Sequence, residues 1–123
     1  MQSFNVVLLQ SDARITQSLL ASLCNSFDSV HEARSLGELR ASVARHSAQV
    51  VIIDMEMVSI SEVESLSRDC SGACIVCTHR LADEEMWTAA LNAGASDICP
   101  AQDAQAILAA VLRHAPRARS FAA

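Results

Sequence analysis

Residues 49–57 read Gln49-Val50-Val51-Ile52-Ile53-Asp54-Met55-Glu56-Met57. Four β-branched residues run without a break into one carboxylate. An apolar run with no polar alternation describes a strand buried on both faces, the central strand of a parallel sheet. Asp54 stands where that strand ends. In open parallel α/β sheets, ligands and chemistry collect at the carboxyl ends of the strands. The neighbouring strands decide what else reaches the same rim.

On the N-terminal side, Phe4-Asn5-Val6-Val7-Leu8-Leu9 predicts a first strand, followed by Gln10-Ser11-Asp12, side chains suited to capping a helix. That helix is expected from about Ala13 to Ser26, with Ile15, Leu19, Leu20, Leu23, Cys24 and Phe27 near helical spacing. Ser29-Val30-His31-Glu32-Ala33 is a short strand. Ser35 then caps an amphipathic helix carrying Leu36, Leu39 and Val43, with Glu38 placed as in a capping box. On the C-terminal side, Ile60, Val63 and Leu66 mark a helix over 61–69, and Ala73-Cys74-Ile75-Val76-Cys77-Thr78 is an apolar strand ending in a hydroxyl. Asp83-Glu84-Glu85 opens a fourth helix with negative charge at its positive end, and Gly94 closes it as the C′ residue. Ser96-Asp97-Ile98-Cys99 is a fifth strand, and Asp103 caps a last helix through Ile107, Leu108, Val111 and Leu112 that Pro116 ends.

Five strand–helix units in strict alternation predict an α/β fold with a five-stranded parallel sheet and helices on both faces. At this length the flavodoxin-like order 2-1-3-4-5 fits. Residues 1–115 form one domain in this reading, and 116–123 a C-terminal tail or linker stub.

Composition narrows the function. The net charge is −5, all nine basic residues are arginine, and lysine is absent. That argues against nucleic-acid binding through a basic face and excludes lysine-amine chemistry. The three glycines, Gly37, Gly72 and Gly94, are scattered, so neither a P-loop nor a dinucleotide fingerprint can be written. No apolar run approaches a membrane span, and the start lacks the positive region of a secretory signal. Five cysteines, an odd number, are expected to be reduced thiols in a cytoplasmic protein.

At the strand ends, Gln10, Ser11 and Asp12 converge with Asp54 and with Thr78 and His79. These residues in this order resemble the receiver domain of bacterial response regulators over essentially the whole chain. Val6-Val7-Leu8-Leu9-Gln10-Ser11-Asp12 matches that family's first strand, Val51-Ile52-Ile53-Asp54-Met55-Glu56-Met57 its phospho-acceptor strand, Ile75-Val76-Cys77-Thr78 the strand ending in Thr or Ser, and Ala90-Leu91-Asn92-Ala93-Gly94-Ala95-Ser96-Asp97 its helix-to-strand junction. The resemblance implies a phosphorelay module and not an enzyme. Asp54 would accept a phosphoryl group from a histidine kinase or phosphotransfer protein, Thr78 would contact the phosphoryl oxygens, and Mg²⁺ would sit between Asp54, Asp12 and Glu56. It also implies an output protein or second copy bound on the fourth helix, fifth strand and fifth helix, here Trp87, Leu91, Ile98, Leu108 and Leu112.

The departures are equally specific. The family's metal-binding acid pair is Gln10 and Ser11, which weakens the case for Mg²⁺. Pro100 or Ala101 stands where its lysine belongs, Ile98 replaces its aromatic switch residue, and Val58 replaces its proline. A phosphorylation-independent pseudo-receiver, acting as a protein-interaction module, is therefore the alternative. A flavodoxin is disfavoured because Gln10-Ser11-Asp12-Ala13-Arg14 supplies one hydroxyl and no glycine. Cys70, Cys74 and Cys77 have iron–sulfur spacing, but Cys74 and Cys77 should point to opposite faces of one strand. His31, His46 and His114 show no ligand spacing and are expected in solvent.

Overall fold

The computed structural model describes residues 2–70, 72–80 and 84–114. Its elements alternate without exception: β1 (Gln2–Leu9), α1 (Ala13–Leu23), β2 (Phe27–Ala33), α2 (Leu36–His46), β3 (Val50–Asp54), α3 (Ile60–Asp69), β4 (Cys74–His79), α4 (Glu84–Asn92), β5 (Asp97–Pro100) and α5 (Ala104–His114). The five strands are parallel, in the order β2-β1-β3-β4-β5. This is the predicted flavodoxin-like arrangement. The proposed tail, 116–123, and Pro116 and Asp83 with it, lie outside the described residues.

β3 is buried at every position, as its sequence requires. Its alternate residues feed two separate cores. Val51 and Ile53 pack with Val7, Leu9, Leu39, Val63 and Leu66 on one face of the sheet. Val50 and Ile52 pack with Leu8, Leu19, Leu23, Phe27 and Ile107 on the other. Cys77 belongs to the first cluster and Cys74 to the second, so the two thiols do face opposite ways. Burial pushes Cys74 up to about 11, Cys77 to about 12 and Cys99 to about 11. These thiols behave as small hydrophobes, not as ligands.

The helix ends follow their sequence signals. Asp12 accepts the Arg14 N–H, and Ser35 Oγ accepts the Glu38 N–H. The Glu38 carboxylate reaches the Arg34 N–H, one residue before the expected capping-box partner. A complete box instead closes at Ser59 and Glu62. Gly94 adopts φ +114, with Gly94 N–H bonded to Leu91 O and Ala95 N–H to Ala90 O. That bond pair is a Schellman closure.

Two boundaries shift. α1 stops at Leu23, and Phe27 opens β2, where its ring packs near Phe4. β5 runs one residue later than expected and includes Pro100. As the last residue of an edge strand, a proline forfeits no interior ladder bond.

Two histidines correct an expectation, while His114 is exposed as expected. His31 on β2 and His46 at the end of α2 stack with ring centroids 3.6 Å apart and planes 6° from parallel. His31 Nε2 lies 3.0 Å from Ser29 Oγ, which donates to Asn5 Oδ1, while Asn5 Nδ2 donates to His46 O. Burial, and then the charge His46 can carry, lower the His31 pKa; burial alone lowers that of His79. The folded state resists protons that the unfolded chain accepts near pH 6.5. Stability is therefore present above that pH and lost as pH falls through it. Glu32, Glu38 and Arg45 line the same hollow. Thermal melts should give a Tm that declines from pH 7.5 toward pH 5.5, and His46→Phe, which keeps a ring but removes the charge, should flatten the decline only in part, since burial is the larger cause.

Candidate functional site

The loop after β1, the end of β3 and the end of β4 meet at one rim. Asp54 is the last residue of β3 and pairs in register with Thr78 on β4. It is 5% exposed. Both carboxylate oxygens have partners from within the chain. Oδ2 accepts the Ser11 N–H at 2.9 Å and the Ser11 hydroxyl at 2.6 Å. Oδ1 accepts the Glu56 N–H at 2.8 Å. These three donors occupy three of the carboxylate's roughly four lone-pair sites, all from within the chain.

Beside it, Gln10 and Thr78 form a second buried pair. Gln10 Nε2 donates to Thr78 Oγ1 at 3.0 Å, and Thr78 Oγ1 lies 3.2 Å from Gln10 Oε1. An acid at position 10 could only accept from Thr78; the amide both donates and accepts. The hydroxyl expected to meet a phosphoryl group is thus held by the glutamine that replaces an acid.

Arg80 was not singled out in the sequence. It follows β4 and places Nη2 3.6 Å from Asp12 Oδ2 and Nε 3.5 Å from Glu56 Oε2. One cation so bridges the loops after β1 and β3. The only sequence hint was chemical: an anionic rim needs a fixed cation, and a chain without lysine must use arginine. His79 faces the opposite problem, with Nδ1 buried and without a hydrogen-bond partner among the described residues.

The residues do not fit Mg²⁺. Asp12 divides its carboxylate between the α1 cap and Arg80, Glu56 faces Arg80, and both Asp54 oxygens accept N–H or O–H donors. Hydrogens aimed at an oxygen repel a cation approaching that lone pair. Mg²⁺ requires near-octahedral oxygen geometry, usually with one or two free carboxylates. Among the described residues, no three His, Cys, Asp or Glu side chains converge as ligands.

The expected partner surface divides. Trp87, Leu91 and Leu112 are exposed at 48%, 43% and 50%, and Leu108 is partly buried against the core. Ile107 and Val111 take the core side of α5, which leaves Leu108 and Leu112 as the outer pair. Ile98 is a correction: at 6% exposure it belongs to the core beside Ala90 and Cys77 and offers almost no surface. An aliphatic side chain on the short strand β5 has no polar tip to draw it into water.

Solved structures supply the comparison. The chain matches the isolated REC domain of RcsB from Salmonella enterica serovar Typhimurium in the presence of phosphomimetic BeF3-, with a TM-score of 0.79 at 17% identity over 94% of this chain and 93% of that one. It matches a CheY-like response regulator receiver domain protein from Methanospirillum hungatei JF-1 with a TM-score of 0.77 at 17% identity, covering 91% and 93% of the two chains. The chain has the receiver-domain fold. A two-component response regulator from Clostridium difficile gives a TM-score of 0.76 at 16% identity, over 91% of this chain and 93% of that one. No protein-family model and no curated protein matches the sequence. Within the receiver fold, Asp54 and Thr78 keep the strand-end positions expected of them, while Gln10, Ser11 and Arg80 make the site's hydrogen bonds and ion pairs internal. Among the described residues, no helix is long and apolar enough to cross a membrane.

Proposed function

We propose that this chain is a receiver-fold signalling module that acts by binding partner proteins, with Asp54 serving as a polar lock. The state of the Asp54 carboxylate carries this reading: it is buried and accepts hydrogen bonds on both oxygens from Ser11 and Glu56. A carboxylate that attacks a phosphoryl donor needs a free lone pair and a cation that offsets the repulsion between two anions. Here three of about four lone-pair sites are engaged, both of those on Oδ2 among them, and Arg80, the cation on this rim, is engaged by Asp12 and Glu56. Partners are an output protein or a second copy, met through Trp87, Leu91, Leu108 and Leu112. Aromatic and aliphatic anchors of this kind suit a protein interface better than a nucleic acid. Five free cysteines suit a reducing cytoplasm.

A second reading keeps the chemistry: Asp54 accepts a phosphoryl group from a histidine kinase or phosphotransfer protein, and Thr78 contacts its oxygens. The direct pairing of Asp54 with Thr78 across β3 and β4 favours it. Intact mass after incubation with Mg²⁺ and a small acyl phosphate separates the two, with Asp54→Asn measured alongside. No adduct is expected, even with a competent kinase added. One phosphoryl adduct on the parent, absent from the variant, would establish the second reading.

A further inference from the structure

Asp12, Asp54 and Glu56 bring three carboxylates to a rim where the receiver fold implies a divalent cation, yet the arrangement does not suit one. The structure points to the reason. Arg80 bridges Asp12 and Glu56 through two different nitrogens, Nη2 and Nε, at 3.6 and 3.5 Å. Those two acids come from the loops after β1 and β3, so the guanidinium links the loop that follows Asp54's own strand to the loop that follows its neighbour. Arginine keeps its charge at any accessible pH and spreads it over a flat fork, so it can serve two carboxylates at once.

We propose that Arg80 is the resident cation of this rim and holds it closed to divalent ions. The inference deepens the reading of Asp54 as a lock. Asp54 takes hydrogen bonds from Ser11 and Glu56 on its two oxygens, and Arg80 pairs with the two outer acids that would otherwise draw a metal inward. A hydrated Mg²⁺ would have to shed water and displace a tethered guanidinium together, and Mg²⁺ dehydrates reluctantly. Arg80 is itself half-exposed, so its removal leaves no cavity in the core.

The test is titration of the unmodified protein with MgCl₂ and then MnCl₂ at constant ionic strength, followed by calorimetry and by Tm. The parent should give no binding heat and no rise in Tm. Arg80→Gln should gain divalent binding in the millimolar range, visible as a saturable heat and a rise in Tm of a few degrees. Glu56→Gln in the Arg80→Gln background should abolish that gain. Circular dichroism of each variant confirms the fold. The proposal is overturned if the parent binds Mg²⁺ as tightly as Arg80→Gln, or if Arg80→Gln stays blind to both metals. Failure here is distinct from failure of the functional reading. The latter is sunk by a phosphoryl adduct on Asp54, whereas metal binding is read on protein that has met no phosphodonor.

Discussion

Gly94→Ala should be among the most damaging single-methyl additions in this chain. Gly94 sits at φ +114, a backbone conformation that L side chains rarely adopt. A Cβ there would overlap Ser67 Oγ and stand 2.6 Å from Ser67 Cβ, both on α3. Backbone strain of about 1–2 kcal/mol adds to a steric term of about 1–3 kcal/mol from forcing the β4–α4–β5 corner away from α3. We expect a loss of about 2–5 kcal/mol in urea or thermal unfolding, with Gly94→Asn less harmful in its backbone share because asparagine tolerates positive φ. Pairing Gly94→Ala with Ser67→Gly removes the overlap but not the strain. The double variant should therefore recover part of the loss, less about 1 kcal/mol for a glycine placed inside α3. Full recovery would show that φ costs nothing here; no recovery would show that Ser67 moves aside without penalty.

Asp54→Ala should act as a core mutation. It leaves the Ser11 N–H, the Ser11 hydroxyl and the Glu56 N–H without their acceptor at a site that is 5% exposed. Unsatisfied buried donors cost about 1–3 kcal/mol each, but some will reach water once the side chain is truncated. A net loss of about 2–4 kcal/mol, a fall in Tm on the order of 10 °C, is the expected result. Asp54→Asn should lose roughly half as much, since its carbonyl oxygen serves the donors on one side while its amide opposes those on the other. Thermal unfolding followed by circular dichroism checks the order. An acceptor aspartate with no structural duty would give the opposite result, with both variants as stable as the parent.

The strand–helix alternation was legible because the central strands β1, β3 and β4 carry unbroken apolar runs and each helix begins at a hydroxyl or an acid. Gly94 was legible for the same local reason. Phe27 was not, because a residue four positions after Leu23 fits the helical period as well as it opens a strand. Asp54 and Thr78 were visible because a polar residue at the end of an apolar run stands out. Arg80 was hidden: its partners lie 68 and 24 positions away along the chain, and no local pattern joins them. The His31–His46 stack was hidden in the same way, since it depends on how α2 settles beside β2.

β3 also bears on how the sheet finds its alignment. Val50 and Ile52 serve one core, Val51 and Ile53 the other, and the four side chains are similar in size and shape. A slip by one position would exchange the two faces yet leave each core filled with branched aliphatics. Hydrophobicity alone would scarcely notice the error. Asp54 would, because the same slip in one direction drags its charge between Leu9 and Cys77, where the two Ser11 donors, fixed to the loop after β1, cannot follow. The one carboxylate at the end of the run thus acts as the alignment mark of the central strand, a duty it would keep whether or not it ever carries a phosphoryl group.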